Sequence, residues 1–460
     1  MTMGVREDRQ EALFVTAAEL PKSQGHPFYV KLNGLLREAG FDSWIEGRCR
    51  QYYEQRERRG RPSLPPGVYF RMLLVGYFEG IDSQRGIAWR CADSLALRSF
   101  LGIPLHESTP DHSTLTNTRK RLPPEVFAEV FEFVLRIARE KGLLSGKTVG
   151  VDSTLLEADA AMKSIVRRDT GEDWKQYVTR LMQEEGVVAP DEQPSDEEVR
   201  RYDKRRKKKV SNEEWESPTD PDSRIAQMKD GRTHLAYKAE HVVDLKSDLL
   251  LAAEILPATA ADTETLVDSV MQAQVHLQAA GSGQQIEEVA ADKGYHAAAT
   301  LELAADLKLR TYIPEPRRVH QRRWTDKPAE HHAAVVNNRR RVRRVKSKQL
   351  QRLRSERCER SFSHVCDSGG LRRTWLHSLV DTGKRYVIAA AAYNLSRILR
   401  ALFGIGKPRT LQGPRGLAAL AQLLARLALA LWIAVQSLWH AATRPRRPFA
   451  RLWLTTRHAG

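Results

Sequence analysis

The sequence has few cysteines, and their spacing does not suggest a disulfide framework. Only four occur among 460 residues, Cys49, Cys91, Cys358 and Cys366, and no two of them form a CxxC pair. A chain of this length can bury a hydrophobic core that is large enough to be stable without covalent cross-links. We therefore expect free thiols in a reducing compartment.

Targeting and nucleotide-binding signals are also scarce. The N-terminus lacks the charged-then-apolar pattern of a secretion signal. One apolar run, residues 416–442, is long enough for a membrane helix, but Gln422, Arg426 and Gln436 interrupt it. We expect no membrane span and interpret this run as a buried or partner-facing helix or a tail. The Gly-Lys-Thr triplet at 146–148 lacks the first glycine of a P-loop and precedes a strand, which excludes that motif.

Acidic residues are missing from one region and rare in another. Residues 401–460 contain nine lysines and arginines and no acid, and residues 317–360 contain 16 against four acids. The formal net charge is +17, so the remainder of the chain is slightly acidic. The pI near 9.8 and the concentration of charge favour a polyanionic partner, nucleic acid first and anionic membrane second.

Hydrophobic periodicity divides the chain into a helical part and a mixed part. After a leader at 1–25, residues 26–145 have helical spacing and form a candidate DNA-binding domain. Strands and helices then alternate over 146–400, which predicts an α/β domain with a mixed sheet and one antiparallel edge. The charged segment 163–230 is expected to be a partly helical surface insertion. A basic and apolar tail with helical spacing follows at 401–460.

One predicted helix in the N-terminal part ends in three cations. It begins near His112 and finishes at Arg119, Lys120 and Arg121. A helix-turn-helix could present these cations to DNA phosphates, which makes all three candidate DNA-binding residues. The alternative is an ordinary capped helix whose C-terminal cations favour its dipole. The sequence leaves both interpretations open.

Three acids of the mixed part have the pattern of a metal site. Asp152 and Asp292 each follow an apolar strand, and functional side chains collect at strand ends in α/β sheets. Two neighbouring carboxylates repel each other unless a cation lies between them. A glutamate from an arginine-rich helix, Glu356 or Glu359, would complete a hard-oxygen site in a single pocket. Two such ions can activate a nucleophile and stabilise the leaving oxygen in phosphoryl transfer.

Each acid also has an ordinary interpretation. A lone aspartate after a strand is commonly a turn or cap residue. A glutamate on an arginine-rich helix is commonly part of a solvated ion pair. Spacing alone therefore does not establish a metal site.

Four segments of this sequence resemble the DDE-type transposases of bacterial insertion sequences, whose catalytic domain is RNase H-like. "GVDSTLLEADAAMKSIVRRDTGEDW" resembles the first-aspartate strand, and "VAADKGYH" resembles the second-aspartate block. "RSERCERSFSHV" and the later "AYNLSRILR" resemble the glutamate helix and the helix that trails it. The upstream "LPPGVYFRMLLVGYFEGIDSQRG" is similar to the helical N-terminal domain of such enzymes. The resemblance spans roughly residues 65–400.

The resemblance implies roles for individual residues. Asp152 and Asp292 would be the metal-bridging aspartates, and Glu359 the third ligand, with Glu356 as its rival one turn away. Tyr295 would be a contact to the DNA backbone. The family often carries a cation after the glutamate, where this chain has Ser363 and Cys366. Two arginines further on would substitute for that cation, Arg372 or Arg373.

The resemblance also implies a reaction and partners. The expected activity is cleavage at the ends of an insertion sequence and joining of the 3′-hydroxyl to target DNA, with Mg²⁺ or Mn²⁺ as cofactor. The expected partner is double-stranded DNA, bound by a homodimer or larger synaptic complex at the nucleoid of the bacterial cytoplasm. The alternatives are a metal-dependent nuclease of the same fold, an inactive DNA-binding derivative, and a membrane-associated role through residues 416–442.

Overall fold

A computed structural model describes most of the chain. The described residues are 25–53, 63–207, 210–228, 230–317, 324–325, 327–411 and two isolated positions at 432 and 436. The chain divides into two units, residues 1–408 and 409–460. Residues 1–24 of the leader and nearly all of the second unit, including the apolar run at 416–442 apart from positions 432 and 436, lie outside the described residues. In the part that is described, no helix is long and apolar enough to cross a membrane.

The first part of the larger unit is helical, as its periodicity predicts. Three of its helices begin at prolines, whose missing N–H is not needed in a first turn. Most residues of the third helix are buried, whereas the seventh buries one apolar face. The helices are α1 Pro27–Glu38, α2 Phe41–Cys49, α3 Pro66–Glu79, α4 Gln84–Asp93, α5 Leu95–Leu101, α6 His112–Arg121 and α7 Pro124–Glu140.

A mixed sheet forms the second part, in agreement with the predicted fold class. The strands of the chain are β1 Thr148–Glu157, β2 Val166–Arg167, β3 Trp215–Glu216, β4 Arg224–Gln227, β5 Thr233–Asp244, β6 Leu250–Pro257, β7 Glu288–Ala290 and β8 Arg310–Tyr312. The main sheet has the order β4-β5-β1-β7-β8, and β6 also pairs with β5. β1, β7 and β8 are parallel, and the pairs that involve β5 are antiparallel. This arrangement of an antiparallel edge beside parallel strands is consistent with an RNase H-like domain.

The first strand is longer than the sequence suggested. We expected it to end at Asp152, but β1 continues to Glu157. Residues 149–157 pair with β5, and this pairing places Asp152 opposite His241. The antiparallel partner supplies backbone hydrogen bonds beyond the acid, so the strand does not stop there. Asp152 is thus a mid-strand residue.

Seven further α-helices follow β1 within the described residues. They are α8 Trp174–Glu184, α9 Asp196–Arg205, α10 Asp262–Ala279, α11 Ala298–Asp306, α12 Ala329–Val342, α13 Val345–Phe362 and α14 Leu379–Phe403. Helices α8 and α9 lie in the charged segment 163–230 and share a small core of Val178, Met182 and Val199. The same segment supplies β4 to the main sheet, so it is partly helical and partly integrated with the sheet.

Helix α14 joins the helical part to the sheet. It packs against α7, α3 and β6. The buried Asn394 side chain accepts a hydrogen bond from Leu250 N and donates one to Leu250 O, both 2.8 Å. An amide can satisfy both backbone groups at the start of β6, which would otherwise be buried without partners.

A buried histidine connects β5 to α13 and α14. His241 Nδ1 lies 2.8 Å from Ser361 Oγ, and its Nε2 lies 2.8 Å from Tyr386 Oη. The ring stacks on Phe362 with a centroid separation of 4.0 Å. Burial lowers the pKa of His241 to about 3. The imidazole is therefore neutral in the folded protein at neutral pH.

The neutral histidine makes stability depend on pH. The unfolded chain takes up a proton on His241 near pH 6.5, whereas the folded chain does so only near pH 3. Stability should therefore be lost as the pH falls from about 6.5 towards 3, by up to about 1.4 kcal/mol per pH unit. Urea unfolding at several pH values gives the free energy of unfolding of the wild-type protein and of His241→Gln. The difference between their slopes of free energy against pH measures this contribution. Equal slopes against pH would contradict it.

Candidate active site

The pairing of β1 with β7 places two aspartates side by side. The strands are parallel, and Gly150 pairs with Ala290. Asp152 and Asp292 each lie two residues beyond this pair. The two carboxylates therefore lie at the same end of the β1–β7 pairing. The Asp292 charge contributes to the electrostatic environment of Asp152, which agrees with this proximity.

Asp152 is largely buried and has two hydrogen-bond donors. The Ser153 N–H donates to Asp152 Oδ1 at 2.9 Å, and Arg354 Nη1 donates to Oδ2 at 2.7 Å. Burial is the main cause that raises the pKa of Asp152, Arg354 opposes the rise, and the charge on Asp292 adds to it. The arginine thus offsets part of the cost of placing two acids next to each other.

Asp292 follows β7 and begins a single helical turn. Its Oδ1 accepts a hydrogen bond from Gly294 N at 2.7 Å. Within the part of the chain that the structure describes, Oδ2 has no hydrogen-bond partner. One oxygen is therefore fixed by the turn and the other is available to a ligand.

Helix α13 crosses β1 at very short range. A Cβ on Gly150 would lie 2.8 Å from Leu245 Cδ2, 3.1 Å from Arg354 Cγ and 3.4 Å from Arg354 Cα. Glycine at 150 therefore permits the approach that brings Arg354 to Asp152.

The two candidate glutamates on α13 have different environments. Glu356 forms an ion pair with Arg360, which also binds the buried Asp248. Glu359 instead accepts a hydrogen bond from Ser355 Oγ at 2.8 Å. Glu359 lies eight residues beyond Gln351, about 80° from it around the helix axis.

A hydrogen bond of Gln351 shows which side of α13 adjoins β7. Gln351 Nε2 donates to Ala291 O at 3.0 Å, next to Asp292. Glu359 is therefore nearer to the side of α13 that adjoins β7 than Glu356, which lies about 140° from Gln351 around the helix axis.

The third carboxylate is less constrained than the two aspartates. Among the described residues, no group of three histidine, cysteine, aspartate or glutamate side chains could hold a metal ion. That three acids gather in one pocket therefore stays a prediction. Asp152 and Asp292 lie next to the β1–β7 pairing, and Glu359 is exposed on α13.

Sequence reasoning missed a further acid next to this pair. Asp262, the first residue of α10, accepts hydrogen bonds at Oδ1 from Ser153 Oγ at 3.1 Å and forms an ion pair with Lys238 Nζ at 2.7 Å. A Cβ on Gly294 would lie 2.9 Å from Asp262 Oδ2 and 3.0 Å from Asp292 Oδ1. Asp262 and Asp292 thus flank the same glycine.

A sequence signal existed for part of this network. Lys238 and Glu240 are two residues apart on a predicted buried strand, so they share one face. Both are almost fully buried, at 3% and 1% exposure, and Lys238 Nζ lies 3.1 Å from Glu240 Oε2. Two charges on the buried face of a strand indicate a paired network. Nothing local marked Asp262, which resembles an ordinary acid in a first helical turn.

The predicted DNA-binding residues fall into two groups. Lys120, Arg121, Arg372 and Arg373 are exposed. Arg119 and Tyr295 are buried, and this corrects the expectation that they contact DNA directly at the surface. Arg119 Nε forms an ion pair with Asp381 at 3.2 Å, and Tyr295 donates to Glu240 Oε2 at 2.9 Å.

A groove begins beside the aspartates. Its volume is about 1060 Å³, and its walls include Ser153 and Thr154 of β1, Lys238 of β5, and Asp262. Arg372 lines the same groove, where its Nη1 donates to Thr154 Oγ1 at 3.3 Å. The exposed Arg232 and the half-buried His234 also line it. The groove thus carries cations close to an acidic centre.

Two family profiles match the chain. One, described as Transposase domain (DUF772), matches residues 17–121, and the other, described as Transposase DDE domain, matches residues 204–395. The second match contains Asp292 and Glu359 and begins after Asp152. No curated protein and no solved structure matches the chain significantly.

The contact at Gly150 can be tested by substitution. Gly150→Ala should lower the free energy of unfolding by about 1–3 kcal/mol, because the methyl group overpacks the space between β1 and α13. Denaturant unfolding measures the change. Gly283→Ala is the matched control, since its Cβ would meet nothing within 4 Å. Equal stability of the two variants would show that the approach of α13 is not tight.

Proposed function

Since the chain belongs to the family of insertion-sequence transposases with a DDE domain, we propose that it cleaves and joins DNA. The proposed reaction is metal-dependent phosphodiester cleavage at the ends of an insertion sequence. The freed 3′-hydroxyl is then joined to target DNA. The observation that carries this proposal is the parallel pairing of β1 with β7, which supports Asp152 and Asp292 as one acidic centre.

The chemistry of the donor groups fits a hard divalent cation. Carboxylate oxygens from Asp152 and Asp292 suit Mg²⁺ or Mn²⁺, and Asp292 has an oxygen without a described partner. Glu359 is the proposed third ligand, supported by its position nearer than Glu356 to the β7 side of α13. When bound, the metal would activate a hydroxyl and stabilise the leaving oxygen.

The protein's own side chains organise this centre. Arg354 holds Asp152 in one orientation and partly neutralises it. Lys238 and Asp262 fix Ser153, the residue after Asp152, against the start of α10. Such side chains act by orientation and charge, which account for much of the catalysis of phosphoryl transfer.

The groove is the proposed path of the DNA strand that reaches the aspartates. Arg372 and Arg232 are the candidate phosphate contacts, because guanidinium groups bind phosphate oxygens in a fork geometry. The exposed Lys120, Arg121 and Arg373 are further candidate contacts. DNA that binds these cations would pass the acidic centre. There the bound metal would offset the repulsion between the DNA phosphates and the two aspartates.

Joining two element ends to a target requires more than one active site. We therefore include assembly as a homodimer or larger complex on double-stranded DNA in the proposal. Action on a bacterial chromosome places the protein at the nucleoid in the cytoplasm.

A strand-transfer assay separates the proposal from its alternatives. Pre-cleaved element ends are incubated with the protein, target plasmid and Mg²⁺, and joined products are counted. A transposase produces joined molecules, a nuclease of the same fold produces only nicks, and an inactive DNA-binding derivative produces neither. Nicks without joined products in the presence of Mg²⁺ or Mn²⁺ would contradict the proposal.

Substitution of the acids should distinguish the ligands from their neighbour. Asp152→Asn, Asp292→Asn and Glu359→Gln should each reduce cleavage by at least about a hundredfold, because metal catalysis contributes several kcal/mol. Glu356→Gln is the matched control on the same helix and should retain cleavage. Gel analysis of cleavage rates measures the effect. Loss of activity in Glu356→Gln with retention in Glu359→Gln would assign the third ligand to Glu356.

A further inference from the structure

A second cavity lies where α6 meets the segment that follows α13. Its volume is about 240 Å³. The helical part contributes Asp82, Ser83, Gln84, Thr116 and Arg119 to its lining, and Arg373, Trp375 and Arg385 come from the later part of the chain. Arginines therefore line it from three different elements.

Two of these arginines, Arg119 and Arg385, have few carboxylate partners for groups that are withdrawn from solvent. Arg119 is 8% exposed, and its Nη1 is buried without a hydrogen-bond partner. Its ion-pair partner Asp381 is shared with the buried Lys384, whose Nζ lies 3.6 Å from Asp381 Oδ1. One carboxylate thus serves two buried cations.

Arg385 has no carboxylate partner among the described residues. Its Nη2 donates to Ile81 O at 3.0 Å. Burial lowers the pKa of Arg385 to about 10, the charges of Tyr69 and Asp82 oppose this shift, and the charge of Arg119 adds to it. Arg385 is half-buried, and its charge is only partly compensated within the cavity.

The remaining charges of the cavity are already engaged at its rim. Asp82 accepts a hydrogen bond from Trp375 Nε1 at 2.8 Å. Arg373 lies over the Trp375 ring at 5.0 Å and is 3.7 Å from both Glu157 and Asp159. The positive charge of Arg119, Lys384 and Arg385 therefore exceeds the negative charge beside them.

We propose that this cavity binds a phosphate group, and that the phosphate belongs to the backbone of bound DNA. Guanidinium groups are suited to phosphate, and hydroxyl and amide side chains of Thr116 and Gln84 supply further polar groups. Arg372 lines the large groove and the next residue, Arg373, lines this cavity. We therefore take the segment Arg372–Arg373 as the place where one DNA backbone would contact both sites. The DNA assignment rests on the proposed function, whereas the phosphate site does not.

The first test measures phosphate binding without DNA or metal. Inorganic phosphate, added at constant ionic strength, should raise the thermal unfolding midpoint of the full chain in a saturable manner. Thr116→Glu should abolish this response, because its carboxylate would occupy the cavity next to Arg119. The matched control Asn117→Glu adds the same charge to an exposed position of α6 and should keep the response. Gln84→Glu is a second variant with the same expectation as Thr116→Glu.

The second test measures DNA binding at several salt concentrations. The slope of log K against log salt should decrease in magnitude by about 0.9 in Thr116→Glu relative to Asn117→Glu, as expected for one lost phosphate contact. Equal slopes with a lost phosphate response would show that the cavity takes free phosphate and would overturn the DNA assignment. No phosphate response in the wild-type protein, or an equal response in all variants, would overturn the site itself. A failed strand-transfer assay would leave the phosphate result unchanged.

Discussion

The close crossing of α13 over β1 is the constraint on which the candidate site depends. Glycine at 150 leaves room for the helix backbone, and Arg354 then reaches Asp152 at 2.7 Å. Two turns further, Ser361 and Phe362 contact the buried His241 of β5, opposite Asp152. The helix is thus fixed to β1 and to its antiparallel neighbour β5.

Charge in this protein is arranged in two layers. The sheet contains acids that are balanced internally, such as Glu240, which accepts hydrogen bonds from Ser269 and Tyr295 and lies beside Lys238. Cations such as Arg232 and Arg372 line the groove outside this network. Hydrogen bonds and ion pairs compensate the buried acids within the fold. The cations in the groove are available to a polyanion. This separation is compatible with an enzyme that must hold both metal and DNA.

The acidic centre is partly organised without its ligands. Strand pairing fixes Asp152 and Asp292, and hydrogen bonds from Ser153 and Gly294 orient one oxygen of each. Among the described residues, the partner of the exposed Glu359 is the Ser355 hydroxyl. The two aspartates are therefore more tightly positioned than the glutamate that we propose as the third ligand.

The sequence alone determined the α/β class and most of the order of strands and helices, and it singled out two aspartates that the β1–β7 pairing brings together, because periodicity and strand-end acids are local patterns. It could not determine that β1 continues past Asp152, since the pairing with β5 supplies the hydrogen bonds. It also could not show that Arg119 and Tyr295 are buried, or that Asp262 lies beside Asp292. Those environments arise from contacts between segments that are distant in the chain. Only the tertiary structure fixes them, because burial and charge pairing depend on what packs against each side chain.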